Sequence, residues 1–142
     1  LSLQAIYPIQ PVERAKNEDP CVLLAEIGDY RLLLTGDSRV EQERIYAPSL
    51  GKIDVLQVGH HGSKTSTSHT LLANSQADYA IISSGRWNPW KLPNQEVLDR
   101  LSQYQVKILN TAQTGMITVR FFENHYTIST ARGRWKWYQG YF

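Results

Sequence analysis

Two short, strongly apolar runs constrain the fold of this chain more than any other feature of its sequence. Ile53–Val58 and Tyr79–Ser83 have the length and composition of strands covered on both faces, and they are expected at the centre of a sheet. Helical periodicity marks three segments around them: Val40–Tyr46, His69–Asn74 and Gln95–Tyr104. Strands that alternate with single helices, each helix lying on a face of the sheet, predict an α/β layered sandwich.

Hairpins are predicted towards both ends of the chain. Three strands are indicated by alternation and by β-branched and aromatic residues: Leu3–Tyr7, Cys21–Ile27 and Tyr30–Thr35. Gly28-Asp29, a pair suited to positive φ, joins the last two as a hairpin. Further along, Met116–Phe122 and His125–Thr130 flank a Glu123-Asn124 turn and predict a second hairpin.

Length and composition indicate one globular domain, residues 1–142, without a membrane-spanning segment. The chain is 42% hydrophobic, enough to bury a core, and its longest apolar runs fall far short of the ~20 residues that cross a bilayer. The single cysteine, Cys21, excludes an internal disulfide and a zinc site built from cysteines. A net charge of +2 does not by itself indicate nucleic-acid binding. Because no initiator methionine or signal peptide is present, we expect a piece of a longer protein.

Asp37 is the first candidate functional residue. It ends the run Leu33–Asp37, in which an apolar strand leads through Gly36 to a carboxylate at the edge of the sheet, where α/β folds place their sites. A structural alternative stays open. Ser38–Glu41 has the pattern of a helix capping box, and Asp37 would then only precede the start of a helix.

His60 and His61 are the second candidate, adjacent imidazoles between two glycines at the end of a predicted strand. Neutral imidazole is a preferred ligand of Zn²⁺ and Mn²⁺, and the glycines let the backbone approach a ligand. The alternative is a polar surface loop in which the two histidines have no joint role. With Asp37 they give at most three ligands, fewer than the about four of a closed zinc site, so further ligands must come from elsewhere.

Hydroxyl, cationic and aromatic residues near these motifs could bind phosphates or nucleobases. They are Ser63, Lys64, Thr65, Ser66, Arg86, Trp87, Arg134 and Lys136. The first four follow the histidines directly, and Arg86–Lys91 follows a central strand and is expected to line a cleft. The basic, aromatic tail from Arg132 onwards either contacts DNA or forms a final edge strand packed on the core.

The order and spacing of these motifs resemble the C-terminal metallo-β-lactamase-like domain of ComEC-type DNA-uptake channel proteins. The resemblance covers nearly the whole chain and is carried by Leu33–Asp37, Asp54–Ser66, Ala80–Ser83, and Pro93 ahead of Glu96–Leu101. It implies an αββα sandwich, of which this chain would be the C-terminal half. It also implies that Asp37 and one of His60 and His61 are catalytic metal ligands in a site with two divalent ions, Mn²⁺ or Zn²⁺.

Three departures from the family pattern bear on activity. The histidine-aspartate motif that supplies most metal ligands in the family does not occur in these residues. Many relatives have histidine where this chain has Leu92 before Pro93, and the loop before Cys21 has Pro20 in place of a serine. We therefore expect the chain alone to have little or no nuclease activity, and a sheet edge or apolar face of it to be exposed.

The resemblance implies a part in natural transformation. Family members lie in the inner membrane and pass single-stranded DNA inward, and this domain is proposed to hydrolyse phosphodiester bonds of the strand that is not imported. The implied partners are single- or double-stranded DNA and the channel domain of the same protein, with this soluble domain on the periplasmic side. The alternative is a non-catalytic module for DNA binding or docking.

Overall fold

A six-stranded sheet forms the centre of the computed structural model, which describes residues 1–10, 13 and 19–132. Its strands lie side by side in chain order: β1 (Ser2–Tyr7), β2 (Val22–Ile27), β3 (Tyr30–Leu34), β4 (Val55–Gln57), β5 (Tyr79–Ile82) and β6 (Lys107–Asn110). β1, β2 and β3 pair antiparallel, and β3 through β6 pair parallel. The carboxyl ends of β3, β4 and β5 therefore meet at one edge of the sheet.

Helices cover one face of this sheet. They are α1 (Val40–Tyr46), α2 (His69–Ser75), α3 (Gln95–Gln103) and the short α4 (Thr111–Thr114). The first three bury Tyr46, Leu71 and Leu101 in a core shared with Leu33 of β3 and Leu56 of β4. Since α1 to α3 lie between consecutive strands in the chain, these burials place the loops after β3, β4 and β5 at the end of the core.

The other face of the sheet is partly covered by a second hairpin. β7 (Ile117–Phe121) and β8 (Tyr126–Thr130) form a separate two-stranded sheet. The Tyr126 ring lies 5.2 Å from that of Tyr30 and 6.2 Å from that of Tyr79, measured between centroids. Edge-to-face contacts of this kind hold the hairpin over the amino ends of β3 and β5, opposite the edge where the candidate residues lie.

The structure confirms a mixed α/β fold and the type of every element that the sequence predicted. The first three helices begin at the predicted residues, and Ile53–Val58 and Tyr79–Ser83 contain β4 and β5, which have neighbours on both sides. β6 and α4 were not predicted. β1 lies at the edge, with Leu3 62% exposed. No helix within the described ranges is long and apolar enough to cross a membrane.

Candidate functional site

The candidate site is built from two loops that follow neighbouring parallel strands. The first, Thr35–Asp37, follows β3, and the second, Val58–Ser66, follows β4. The backbone N–H of His60 donates to the carbonyl of Gly36 at 2.9 Å, and the N–H of Val40 donates to the carbonyl of Thr65 at 2.9 Å. Parallel pairing of the two strands thus joins the predicted aspartate loop to the predicted histidine loop.

Gly59 is required for this close approach. A Cβ atom on it would lie 3.1 Å from the carbonyl oxygen of Ser38 and 3.2 Å from Oγ1 of Thr35. Both contacts are tighter than ordinary van der Waals separation, so a side chain here would push the two loops apart. The hydroxyl of Ser66 closes the second loop from within, since it donates to the Gly59 carbonyl at 2.7 Å.

The two histidines have left-handed backbone conformations. His60 has φ 48° and ψ 44°, and His61 has φ 55° and ψ 21°. Such conformations are unfavourable for residues with a Cβ and are concentrated at functional sites. The turn is held by the N–H of Ser63, which donates to the His60 carbonyl at 2.9 Å. It points the two imidazoles away from the sheet in different directions.

The ring of His61 is oriented by a backbone carbonyl. Its Nδ1 lies 2.8 Å from the carbonyl oxygen of Ser83, at the end of β5. A carbonyl can only accept a hydrogen bond, so Nδ1 carries the proton in the neutral ring and Nε2 keeps its lone pair. This is the arrangement that fixes histidines which bind metal ions or accept protons.

His60 has a buried ring nitrogen that nothing satisfies. Its Nδ1 is inaccessible to solvent and has no hydrogen-bond partner within the described part of the chain. Buried polar atoms normally have a partner, and one without is a place where an ion or another group is expected. The two histidines therefore differ: one ring is oriented from behind, and the other has an unused nitrogen.

Asp37 lies in the turn after β3 and is exposed. Carboxylate and imidazole suit Mn²⁺ and Zn²⁺ as ligands, so the predicted donors fit in kind. Their number does not reach a full set, because no three or more His, Cys, Asp or Glu side chains gather at one point within residues 1–10, 13 and 19–132. A metal ion held here would need donors from beyond those residues.

The predicted phosphate-binding residues fall into three groups. Lys64 and Thr65 are exposed and Ser63 is half-buried beside them, with its Oγ 3.0 Å from Oγ1 of Thr65. Ser66 is fully buried, and its hydroxyl is used inside the loop, so it positions the loop and offers no donor at the surface. Arg86 and Trp87 are exposed. Arg134 and Lys136 lie outside the described residues.

Two adjoining clefts lie in front of the histidines. One, of about 520 Å³, is lined by His60, His61, Ser63, Lys64, Trp90, Leu92 and Asn94. The other, of about 620 Å³, runs from His61 along the segment from Ser83 to Leu92 and includes Trp87 and Trp90. A larger cavity of about 760 Å³ lies near Tyr79 and Tyr126, at the opposite end of the strands. The clefts beside the histidines are the ones that the candidate donors can reach.

The sequence analysis missed a clamp formed by Glu43 and Arg100. The carboxylate of Glu43 accepts the backbone N–H groups of Thr67 and Ser68, both at 2.6 Å. Arg100 Nη1 donates to the carbonyls of Ser66 and Thr67, at 3.0 and 2.6 Å. The peptide after the histidine loop is thus held from both sides. A signal existed, because Glu43 falls three residues from Tyr46 on the apolar face of α1.

Burial raises the pKa of the Glu43 carboxyl above its ordinary 4.5, although hydrogen bonds from Ser68 and Thr67 and the charge of Arg100 oppose the shift. The folded state then holds this proton more tightly than the unfolded state. Its contribution to the free energy of unfolding is full below pH 4.5 and is lost as the pH rises through the folded pKa. We expect the stability advantage of the wild type over Glu43→Gln to fall between about pH 4 and pH 7. Urea unfolding across this range measures the difference, and a constant difference would contradict the prediction.

The capping box proposed for Ser38–Glu41 is wrong. α1 begins after Arg39, whose backbone N–H donates to Oε1 of Gln42 at 2.8 Å. Ser38 is buried and its Oγ lies 2.8 Å from the hydroxyl of Tyr46. The hydroxyl is used in the core because Tyr46, at the end of the same helix, turns back over the loop. Asp37 therefore does not belong to a capping box.

Comparisons with known proteins add relatives of greater length. No protein-family model matches the chain. It is 50% identical to Recombination protein 2 of Haemophilus influenzae over 139 residues, which are 97% of this chain and 18% of that protein. It is 38% identical over 124 residues to ComE operon protein 3 of Bacillus subtilis, covering 85% of this chain and 16% of that protein. It is 35% identical over 115 residues to Competence protein ComA of Neisseria gonorrhoeae, covering 77% and 17%. The chain thus spans less than a fifth of each relative's length.

Proposed function

We propose, from the premise that this chain belongs to the ComEC-type family of competence proteins as one segment of such a protein, that it acts in DNA uptake during natural transformation. The names of two relatives refer to competence or its operon, and another to recombination. Because the chain corresponds to a small part of each, its role is that of one domain in a larger machine. Its partners would be DNA and the channel domain of the same protein, on the periplasmic side of the inner membrane.

The proposed reaction is metal-dependent hydrolysis of a phosphodiester bond in the strand that is not imported. The unpartnered Nδ1 of His60, the free Nε2 of His61 and the exposed Asp37 are the donors that support this. Bound divalent ions, Mn²⁺ or Zn²⁺, would supply hydroxide at neutral pH and offset the charge of the phosphate. Ser63, Thr65 and Lys64 would hold the phosphate oxygens beside these donors.

The proposed fold of the complete domain is the αββα metallo-β-lactamase sandwich, with this chain as its C-terminal half. In such a fold the second face of the sheet is covered by another sheet. Here the β7–β8 hairpin covers only the end near Tyr30 and Tyr79, and Leu32 and Leu34 on the same face of β3 remain partly exposed. A preceding segment of the protein would cover them and bring the missing metal ligands.

A second candidate function is a DNA-binding or docking module without catalysis. The observation that favours it is the lack of a three-ligand group within the described part of the chain. In this alternative the clefts beside His61 would hold DNA without cutting it. The two functions differ in whether Asp37 is needed for bond cleavage.

Mn²⁺-dependent cleavage of labelled single- and double-stranded DNA tests the proposal. The protein is extended upstream to restore the domain, and Asp37→Ala is expected to abolish cleavage without unfolding the protein, because Asp37 is exposed. Asp29→Ala is the matched control: it is an exposed aspartate in the other Gly-Asp turn, at the opposite end of β3. This control should cleave like the wild type, and the 142-residue chain alone should cleave little or not at all.

Two results would count against the proposal. Cleavage that persists in Asp37→Ala would remove that residue from the site. A folded, metal-loaded, extended protein that cuts neither substrate would favour the docking module.

A further inference from the structure

Two tryptophan side chains project into solvent beside the histidine loop. Trp87 is 89% exposed and Trp90 is 77% exposed. Both line the 620 Å³ cleft that begins at His61, and Trp90 also lines the cleft in front of His60. Indole rings exposed to this extent leave much apolar surface in contact with water, and paired at a cleft they indicate a binding surface.

The loop that carries the tryptophans is fixed by Asn88. Its Nδ2 donates to the carbonyls of Gly85 and Leu92 at 2.7 and 2.8 Å, and its Oδ1 accepts the N–H of Leu92 at 2.7 Å. The loop is tied to the histidine turn as well, since the N–H of Asn94 donates to the carbonyl of Gly62 at 2.8 Å. The rings therefore stand at a set distance from His61 before any ligand arrives.

Charge at the clefts favours an anionic ligand. Neither cleft has an Asp or Glu among its lining residues, and Lys64 lines the one in front of His60. The guanidinium carbon of Arg86 lies 5.9 Å from the centroid of the Trp87 ring. Flat apolar rings, adjacent cations and the hydroxyls of Ser83 and Ser84 together match a chain of nucleobases joined by phosphates.

We propose that Trp87 and Trp90 form a stacking platform for unpaired nucleobases, which makes the site selective for single-stranded nucleic acid. Bases in a duplex are already stacked and paired, so they cannot lie on an indole without being unpaired first. A single strand held on the two rings would place its phosphates beside Lys64 and His61. This inference rests on the proposed function and deepens it, because DNA alone does not specify strandedness.

Binding without cleavage tests the platform separately from the reaction. Fluorescence anisotropy of a labelled oligothymidylate of about a dozen nucleotides is measured in EDTA with the upstream-extended protein. Trp87→Ala and Trp90→Ala should each weaken binding by about 10-fold, and Trp87→Phe and Trp90→Phe should keep most of it. Phe122→Ala is the matched control, since Phe122 is an exposed aromatic residue on the second hairpin and lines neither cleft. Circular dichroism checks that each variant is folded.

The outcomes separate the two proposals. Alanine variants that bind the oligonucleotide as tightly as the wild type, or a wild type that binds a blunt duplex equally well, would overturn the platform. The first result would also be obtained if another protein segment covers the tryptophans. Weakened binding in the alanine variants alone supports the platform, even where Asp37→Ala shows that no cleavage depends on the site. Cleavage that needs Asp37 but not the tryptophans would leave only the proposed function standing.

Discussion

Gly62→Ala is expected to destabilise the protein by about 3 kcal/mol, because backbone strain and overpacking act together there. Gly62 has φ +83°, in the region that favours glycine. A Cβ on it would lie 2.5 Å from Cβ and 3.1 Å from Cα of Pro93. The proline ring is rigid and its Cα is backbone, so neither atom can move aside without shifting the loop that leads into α3.

Gly28→Ala is the matched control for this substitution. Gly28 also has positive φ, +61°, but a Cβ there would meet no atom within 4 Å. It should therefore lose about 1 kcal/mol through backbone strain alone. Urea unfolding of both variants measures the two losses, and their difference reports the contact between Gly62 and Pro93. Equal losses would show that this contact does not constrain the fold.

Gly62→Ala should also affect the site. The residue follows His61 directly, and a displaced loop would move the imidazole away from the Ser83 carbonyl that orients it. Histidine ring resonances in an NMR spectrum would report this change, while Gly28→Ala would leave them in place.

Glu43→Ala is the second large effect, with an expected loss of about 3–5 kcal/mol. The substitution leaves the buried N–H groups of Thr67 and Ser68 without an acceptor, and each unsatisfied donor costs about 1–3 kcal/mol. It also leaves a cavity in a position that is fully buried. Thr67 has φ 56°, so the peptide is held in an unfavourable conformation that these hydrogen bonds maintain.

Glu41→Ala is the control for the loss of a carboxylate from the same helix. Glu41 is exposed in the first turn of α1, and its removal should change the free energy of unfolding by less than about 0.5 kcal/mol. Chemical denaturation of the two variants gives both values. If Glu43→Ala is no more harmful than Glu41→Ala, the hydrogen bonds from Arg100 alone are sufficient to hold the peptide after the histidine loop.

Much of the fold could be predicted because local patterns follow from it. α1 repeats its apolar positions at helical spacing, and β4 and β5 are short apolar runs because each is hydrogen-bonded on both sides. β6 gave no such signal. It is only four residues long, Lys107 at its start is exposed, and Asn110 at its end accepts N–H and O–H groups from α4 and Ser84. An edge strand with polar ends resembles a loop in sequence.

The sequence by itself determined the strands and helices that carry the site, and it determined which side chains could act as donors. Only the tertiary structure decided what those donors do. His61 is oriented by a carbonyl 22 residues further along the chain, and the peptide after the histidine loop is held by a carboxylate 24 residues before it. Local periodicity reports which face of an element is buried, but such contacts arise when parallel pairing brings the carboxyl ends of β3, β4 and β5 to one edge. The packing of α1 and α3 then brings Glu43 and Arg100 to the same peptide, for which no spacing in the sequence is required.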